Sequence, residues 1–387
     1  MNLKREMGLK KERDSGIEVM RILAALCVIG VHSQSHGGFM ASARAYGGAV
    51  HTEALLIYFS VRVAVNAFVI ISGYFMVTGA FDLKKSFKRA GNIYTRLLFY
   101  SLVITAVFLL LGSDFWLVDG KILPPKRALL LAFFPLSSQA LYFLTDYLLL
   151  CLLAPFANLA VQKLTKRQYL LLLVVLTLWM SVWLTLAQVW PFSIVFDDFG
   201  YGVLYGGKNV FHFVYIYLLG GYVRLHVKKR RRPNPDYLLL AAATVFGNYL
   251  LHVYLPAKTH YTDISGHYAN PIIVAEAVLL LLFFKDLHFK SRAVNRLAST
   301  TLGVYAIQEF RYMKTYLWKI VDYRSLVGPS LVRNLLVFVG GVIAIYLALS
   351  AIDLLREGLF RGAGFLFGKL FAKKKIPPPG EKNQETP

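Results

Sequence analysis

About ten apolar blocks recur along this chain, most of them 17 to 25 residues long. A block of that length with few charges is what a helix needs to cross roughly 30 Å of hydrocarbon. The blocks run near 17–35, 56–78, 93–112, 139–160, 169–189, 210–226, 236–255, 270–285, 297–319 and 333–354. Lipid offers no partner to a backbone amide, so such blocks must bond internally as helices. The predicted fold is therefore all-α: a polytopic transmembrane helix bundle of about ten spans. A further greasy stretch at 128–136 reads as re-entrant or interfacial. Composition excludes the other classes, since 57% of residues are apolar and only 17% charged, against about 25% charged in a soluble domain. A soluble enzyme, a disordered chain and a secreted disulfide scaffold are all ruled out. Cys27 and Cys151 fall inside apolar blocks and read as small buried hydrophobes, with neither a disulfide nor a metal site implied.

The formal net charge of +22 follows the topology. With the N-terminus cytoplasmic, alternate segments carry 29 Lys and Arg on the inner side and 11 on the outer, and Arg21, Arg62 and Arg96 within helices complete the 43. Five of the outer 11 fall in the last outer segment. This bias obeys the positive-inside rule and puts both termini inside. The KKRRR run at 228–232 then meets anionic headgroups; no aromatic-interleaved module accompanies it, so no nucleic-acid partner is expected. Residues 1–16 are predicted to form a basic cytoplasmic tail and 17–355 the membrane domain. Residues 356–387 are read as an interfacial segment, GLFRGAGFLFGKLFA, and a disordered tail. The first block, interrupted by Glu18 and Arg21, is a retained helix and not a cleaved signal. No soluble catalytic domain is expected, so any chemistry belongs to the membrane or its surfaces.

Ionisable residues inside spans are costly and mark function by default. The first helix is richest in them: Glu18, Arg21 and His32, with His36 one turn beyond. Eleven steps of 100° return to within about 20°, so Arg21 and His32 share a face, about 16 Å apart along the axis. Glu18 stands three residues before Arg21, a spacing that permits an ion pair. Snorkelling of Glu18 and Arg21 to headgroups and an interhelical hydrogen bond from His32 remain the structural alternatives. The second block places Arg62 and Asn66 on one face; its Ser72 fits an own-backbone bond, and Gly73 fits a close approach. Lys88, Arg89 and Arg96 follow in a basic turn that suits phosphates, although a solvated inner loop is the more frequent explanation for such a run. Asp146 and Glu276 need partners, with Arg62 or Arg96 available; Glu309, beside Gln308 and Arg311, reads as an interface residue. His252, His260, Asp263 and His267 share an outer loop but match no common zinc spacing, so no metal is predicted.

The stretch RDSGIEVMRILAALCVIGVHS, in which ten residues separate Arg21 from His32, resembles the start of the acyltransferase-3 family of integral-membrane O-acyltransferases. VNAFVIISGYFM (65–76), LYFLTDYLLLCLLAPFAN (141–158), FHFVYIYLLGGYVR (211–224), NPIIVAEAVLLLLFFK (270–285) and LASTTLGVYAIQ (297–308) follow in the family's order. The set is most similar to members from Gram-positive bacteria without an appended SGNH domain. Two positions depart from the pattern. The family's second arginine pair is met by Arg89 with Asn92 in the second place, where Arg96 compensates. A histidine that often ends the motif near 304–308 is replaced by Gln308, so no histidine role carries over there.

The resemblance implies a multi-pass enzyme of the bacterial plasma membrane. It would move an acyl group, usually acetyl from acetyl-coenzyme A, onto a hydroxyl of a cell-envelope polysaccharide or glycolipid, with His32 essential. In the mechanism expected from the residues, Arg21 and the 84–96 loop hold the coenzyme and Glu18 orients Arg21. His32 acts as general base or brief acyl carrier, and Asn66 donates to the oxyanion. Arg62, Ser72 and His36 are further candidates for acceptor contacts. The competing class is a transporter or flippase of an envelope precursor, against which no repeated half-chain or matched pair of broken helices is found. The oligomeric state is open.

Overall fold

The protein is described from a computed structural model, covering residues 14–112, 117–118, 121–122, 124–137, 141–195, 205–255, 259 and 261–372. The helices are α1 (Gly16–Ser35), α2 (Phe39–Tyr46), α3 (Gly48–Val61), α4 (Ala64–Met76), α5 (Leu83–Leu111), α6 (Pro125–Phe133) and α7 (Tyr142–Val161). They continue as α8 (Lys166–Leu186), α9 (Val210–His226), α10 (Asp236–Tyr254) and α11 (Pro271–Phe284). The last four are α12 (Arg292–Ser299), α13 (Thr301–Gln308), α14 (Arg311–Ile320) and α15 (Leu331–Ala372). Strand pairing among the described residues is limited to a two-residue antiparallel ladder, Leu117–Val118 with Lys121–Ile122.

Among the described residues, seven helical stretches are long and apolar enough to cross a membrane: α1, α3 with α4, α5, α7, α8, α10 and α15. Two more expected spans correspond to shorter helices, α9 with 17 residues and α11 with 14. The ninth expected span is not a helix of its own: residues 297–319 are divided among α12, α13 and α14, with a break at Glu309–Phe310 where Phe310 turns extended (φ −63°, ψ 136°). α14 carries Tyr312, Met313, Leu317 and Trp318, but Arg311, Lys314 and Lys319 make it amphipathic, and a helix so charged has no reason to continue α13 through lipid. At the other end, α15 runs unbroken to Ala372. The boundary drawn at 355 from hydropathy is thus not a break in the helix, and residues 373–387 lie outside those described.

α1 is the hub of the bundle, packing against α3, α4, α11, α12, α13 and α15. Its buried side includes Met20, Ala24, Ala25 and Ile29. α4 and α9 form the closest pair: a Cβ on Gly73 would strike the Tyr217 carbonyl, and one on Gly220 the Ile70 carbonyl. Small residues that let backbones touch replace the hydrophobic drive that lipid removes. The chain before α1 is tied to two later loops. The Ser15 N–H donates to the Phe289 carbonyl at 2.9 Å, while Asp14 meets Lys229 Nζ at 2.7 Å and His288 Nδ1 at 3.2 Å. These contacts gather the start of α1, the basic run at 228–232 and the 285–296 turn on one face.

Candidate active site

A single continuous cavity of about 1560 Å³ runs beside α1. Arg21 and Ser299 line one end, His32, Tyr305 and Glu309 the middle, and His36, Lys319 and Arg324 the other. The 3.6-residue period of α1 puts Arg21 and His32 on the face that borders it, as the sequence predicts. Aromatic rings fill the walls between, including Phe143 and Tyr147, which stack 5.8 Å apart.

At the Arg21 end, the arginine donates to Glu18 Oε2 at 2.5 Å, and its guanidinium lies 5.9 Å from the Phe75 ring centroid. Glu18 is buried behind it at 3% exposure and does not itself line the cavity. Ser72 does line it, donating to the Phe68 carbonyl at 2.9 Å and sharing a 2.9 Å bond with the Tyr147 hydroxyl.

In the middle, His32 Nδ1 lies 3.0 Å from Glu309 Oε1. This is an ion-pair distance without hydrogen-bond alignment, and neither atom has another partner. Nε2 of His32 has no protein partner among the described residues. Glu309 is aimed by the break after α13: its backbone N–H still bonds the Tyr305 carbonyl at 3.1 Å, and the chain then turns away. His36 continues the face, its ring centroid 5.7 Å from that of His32. A carboxylate facing one nitrogen of an imidazole whose other nitrogen is unengaged can support proton transfer at that other nitrogen. Sequence reasoning treated Glu309 as an interface residue; the signal available was an acid closing an otherwise apolar helix.

Other predicted site residues are placed differently. Asn66 is fully buried, donates to the Tyr268 carbonyl at 2.9 Å and meets His212 Nε2 at 2.9 Å. Its amide is spent on tying α4 to α9 and it does not line the cavity, which removes the oxyanion role expected of it. Arg62, in the kink between α3 and α4, does line the cavity; its Nε donates to the Gly266 carbonyl at 2.6 Å and its guanidinium lies over Tyr58 and Tyr268. Arg96 is engaged by Asp353 and the Ser299 carbonyl and does not line the cavity. Lys88 and Arg89 are outside the cavity lining, although Arg89 is within electrostatic reach of Tyr147, which belongs to it. Neither Arg62 nor Arg96 pairs with Asp146 or Glu276. His252 meets Ser265 Oγ at 3.0 Å, and His260 lies outside the described residues. No metal-holding group of three or more His, Cys, Asp or Glu occurs among the described residues.

The family model described as an acyltransferase domain, Acyl_transf_3, matches residues 14–352. The chain belongs to this acyltransferase family. The matched region contains every side chain that lines the cavity. No curated protein and no solved structure matches the chain. Family and architecture together make it a multi-pass membrane acyltransferase.

Proposed function

We propose that this acyltransferase moves an acetyl group from cytoplasmic acetyl-coenzyme A to a hydroxyl of a cell-envelope polysaccharide or glycolipid, working in a bacterial plasma membrane. The observation that carries the reading is the His32–Glu309 pair, 3.0 Å apart, set in a cavity that continues to Arg21. Arg21, held by Glu18, binds the anionic part of the coenzyme. The pantetheine arm lies along the aromatic wall and presents the thioester near His32. Nε2 of His32 takes the proton of the acceptor hydroxyl as its oxygen attacks the thioester carbonyl. The C–S bond then breaks, and the imidazolium returns the proton to the departing thiolate. Glu309 faces Nδ1 and its charge stabilises the transient imidazolium.

The test is His32→Ala in purified protein given labelled acetyl-coenzyme A and envelope glycan. Loss of a general base costs about 10² to 10⁴ in rate, whereas loss of an interhelical hydrogen bond costs about 1 kcal/mol of stability. Normal yield and melting with transfer lost by that factor supports the reading. Undiminished transfer sinks it.

A further inference from the structure

The two ends of the cavity are unlike in charge. Arg21 stands at one end, positioned by the carboxylate of Glu18. Around His32 and beyond it stand Arg62, Lys208, Arg311, Lys314, Lys319 and Arg324, against the single carboxylate of Glu309. Arg62 and Lys208 lean on tyrosine rings, Lys208 Nζ lying 5.5 Å from the Tyr142 centroid. Arg311, Lys314, Lys319 and Arg324 make no ion pair with any described residue. Like charges crowded at one end of a cavity repel one another, and that cost is offset only when an anion enters. The field acts on neighbouring groups. Burial, then the charges of Arg62 and Lys208, push the imidazole of His267 down to about 4, with Asp263 acting in the opposite sense. The charge count of the sequence carries the same anomaly, since Arg311, Lys314, Lys319 and Arg324 are counted in the one outer segment that runs against the positive-inside bias.

Three anions could answer these charges. On the acyltransferase reading above, coenzyme phosphates belong to the other end, where Arg21 stands on the side of the basic run at 228–232. Lipid headgroups would meet cations on the lipid-facing rim, whereas these side chains line the same cavity as His32. The remaining anion is the acceptor. Trp318 lines the cavity beside Lys319, and an aromatic face next to cations suits a sugar ring that bears an anionic group.

Resting on the acyltransferase reading above, we propose that the acceptor is an anionic carbohydrate polymer. It bears phosphodiester or carboxylate groups near the acylated hydroxyl, and Arg311, Lys314, Lys319 and Arg324 hold those groups while His32 reaches the hydroxyl. Selectivity for acceptor charge is then built into the cavity end that the acyl group does not enter from.

Binding tests this without requiring turnover. The full chain in phosphatidylcholine nanodiscs is titrated with three labelled oligomers of equal length: a glycerol-phosphate oligomer, an oligogalacturonate and a neutral glucan. The expected result is that at least one anionic oligomer binds roughly tenfold tighter than the glucan, with the preference shrinking as salt rises. Which of the two binds distinguishes phosphodiester from carboxylate. The double variant Lys319→Glu/Arg324→Glu, at exposed positions, should abolish the preference, and Lys319→Arg/Arg324→Lys should keep it. Equal binding of all three oligomers overturns the proposal. So does a reversal variant that weakens coenzyme A binding instead, which would make this the donor end, or one that changes only retention of anionic lipid. Because no acyl donor is present, failure of the His32→Ala transfer test leaves this result standing, and the converse holds.

Discussion

His32 and Glu309 face each other at 3.0 Å across the gap between α1 and the end of α13, and each is the other's only polar partner at that atom. A carboxylate facing Nδ1 favours the proton on that nitrogen electrostatically, which leaves Nε2 able to accept one. Glu309→Gln keeps the shape and removes the charge, so transfer should fall by about 10² to 10⁴ with little change in melting. Combining it with His32→Ala should cost little more than His32→Ala alone, because the two act as a unit. Fully additive losses in a steady-state rate assay would show that they act separately.

Arg21 is expected to act on the donor. Glu18→Gln leaves the guanidinium in place but frees it from its 2.5 Å anchor, and Arg21→Lys keeps the charge but loses the planar fork. Both should raise KM for acetyl-coenzyme A more than they lower kcat. An unchanged KM in both variants would mean that this ion pair serves only the inner face of the bundle.

The Arg21–His32 face was legible in the sequence because both residues sit on one helix, where period alone decides which side chains align. Glu309 was not, because its partner is remote in the chain and the break that aims it is invisible to hydropathy averaging. Phe310, Tyr312, Leu317 and Trp318 continue the run of apolar and aromatic side chains past the turn, and 297–319 reads as one span. Asn66 and Arg96 were misread for a related reason. Helical spacing shows that Asn66 shares a face with Arg62, but it cannot show that His212 and the Tyr268 carbonyl are waiting on that face. Nor can it show that Asp353, one residue past the matched region, takes Arg96. The long spans themselves were legible throughout, because lipid leaves a chain of this composition no alternative to helix.

Asp14 gives a pH dependence outside the spans. Partial burial acts to raise its pKa, but bonds from Lys229, the Gly16 N–H and His288 together hold the carboxyl below its usual value. A depressed folded value means stabilisation that is fully present above the unfolded pKa of about 3.9 and is lost as pH falls through the folded one. Asp14→Asn should therefore lower the melting temperature of detergent-extracted protein at neutral pH, with the gap closing below about pH 4. Salt should shrink the effect, since the pair is partly exposed. Parallel pH profiles for the two proteins would remove Asp14 from the account.

Asp353 of α15 is 1% exposed and accepts from Arg96 and Tyr100 of α5 and from Arg356 one turn along its own helix. A Cβ on Gly303 of α13 would collide with it, so three helices close on this one carboxylate. Asp353→Ala strands two guanidinium groups that are less than one-fifth exposed, and breaking such a buried pair costs about 3 to 5 kcal/mol. Arg96→Ala should cost less, because Arg356 and Tyr100 still satisfy Asp353. In both variants the loss should appear as lower yield and melting temperature, with KM for acetyl-coenzyme A unchanged in the protein that survives extraction. A raised KM at an unaltered melting temperature in Arg96→Ala would return Arg96 to the coenzyme and leave the Asp353 cluster without its structural role.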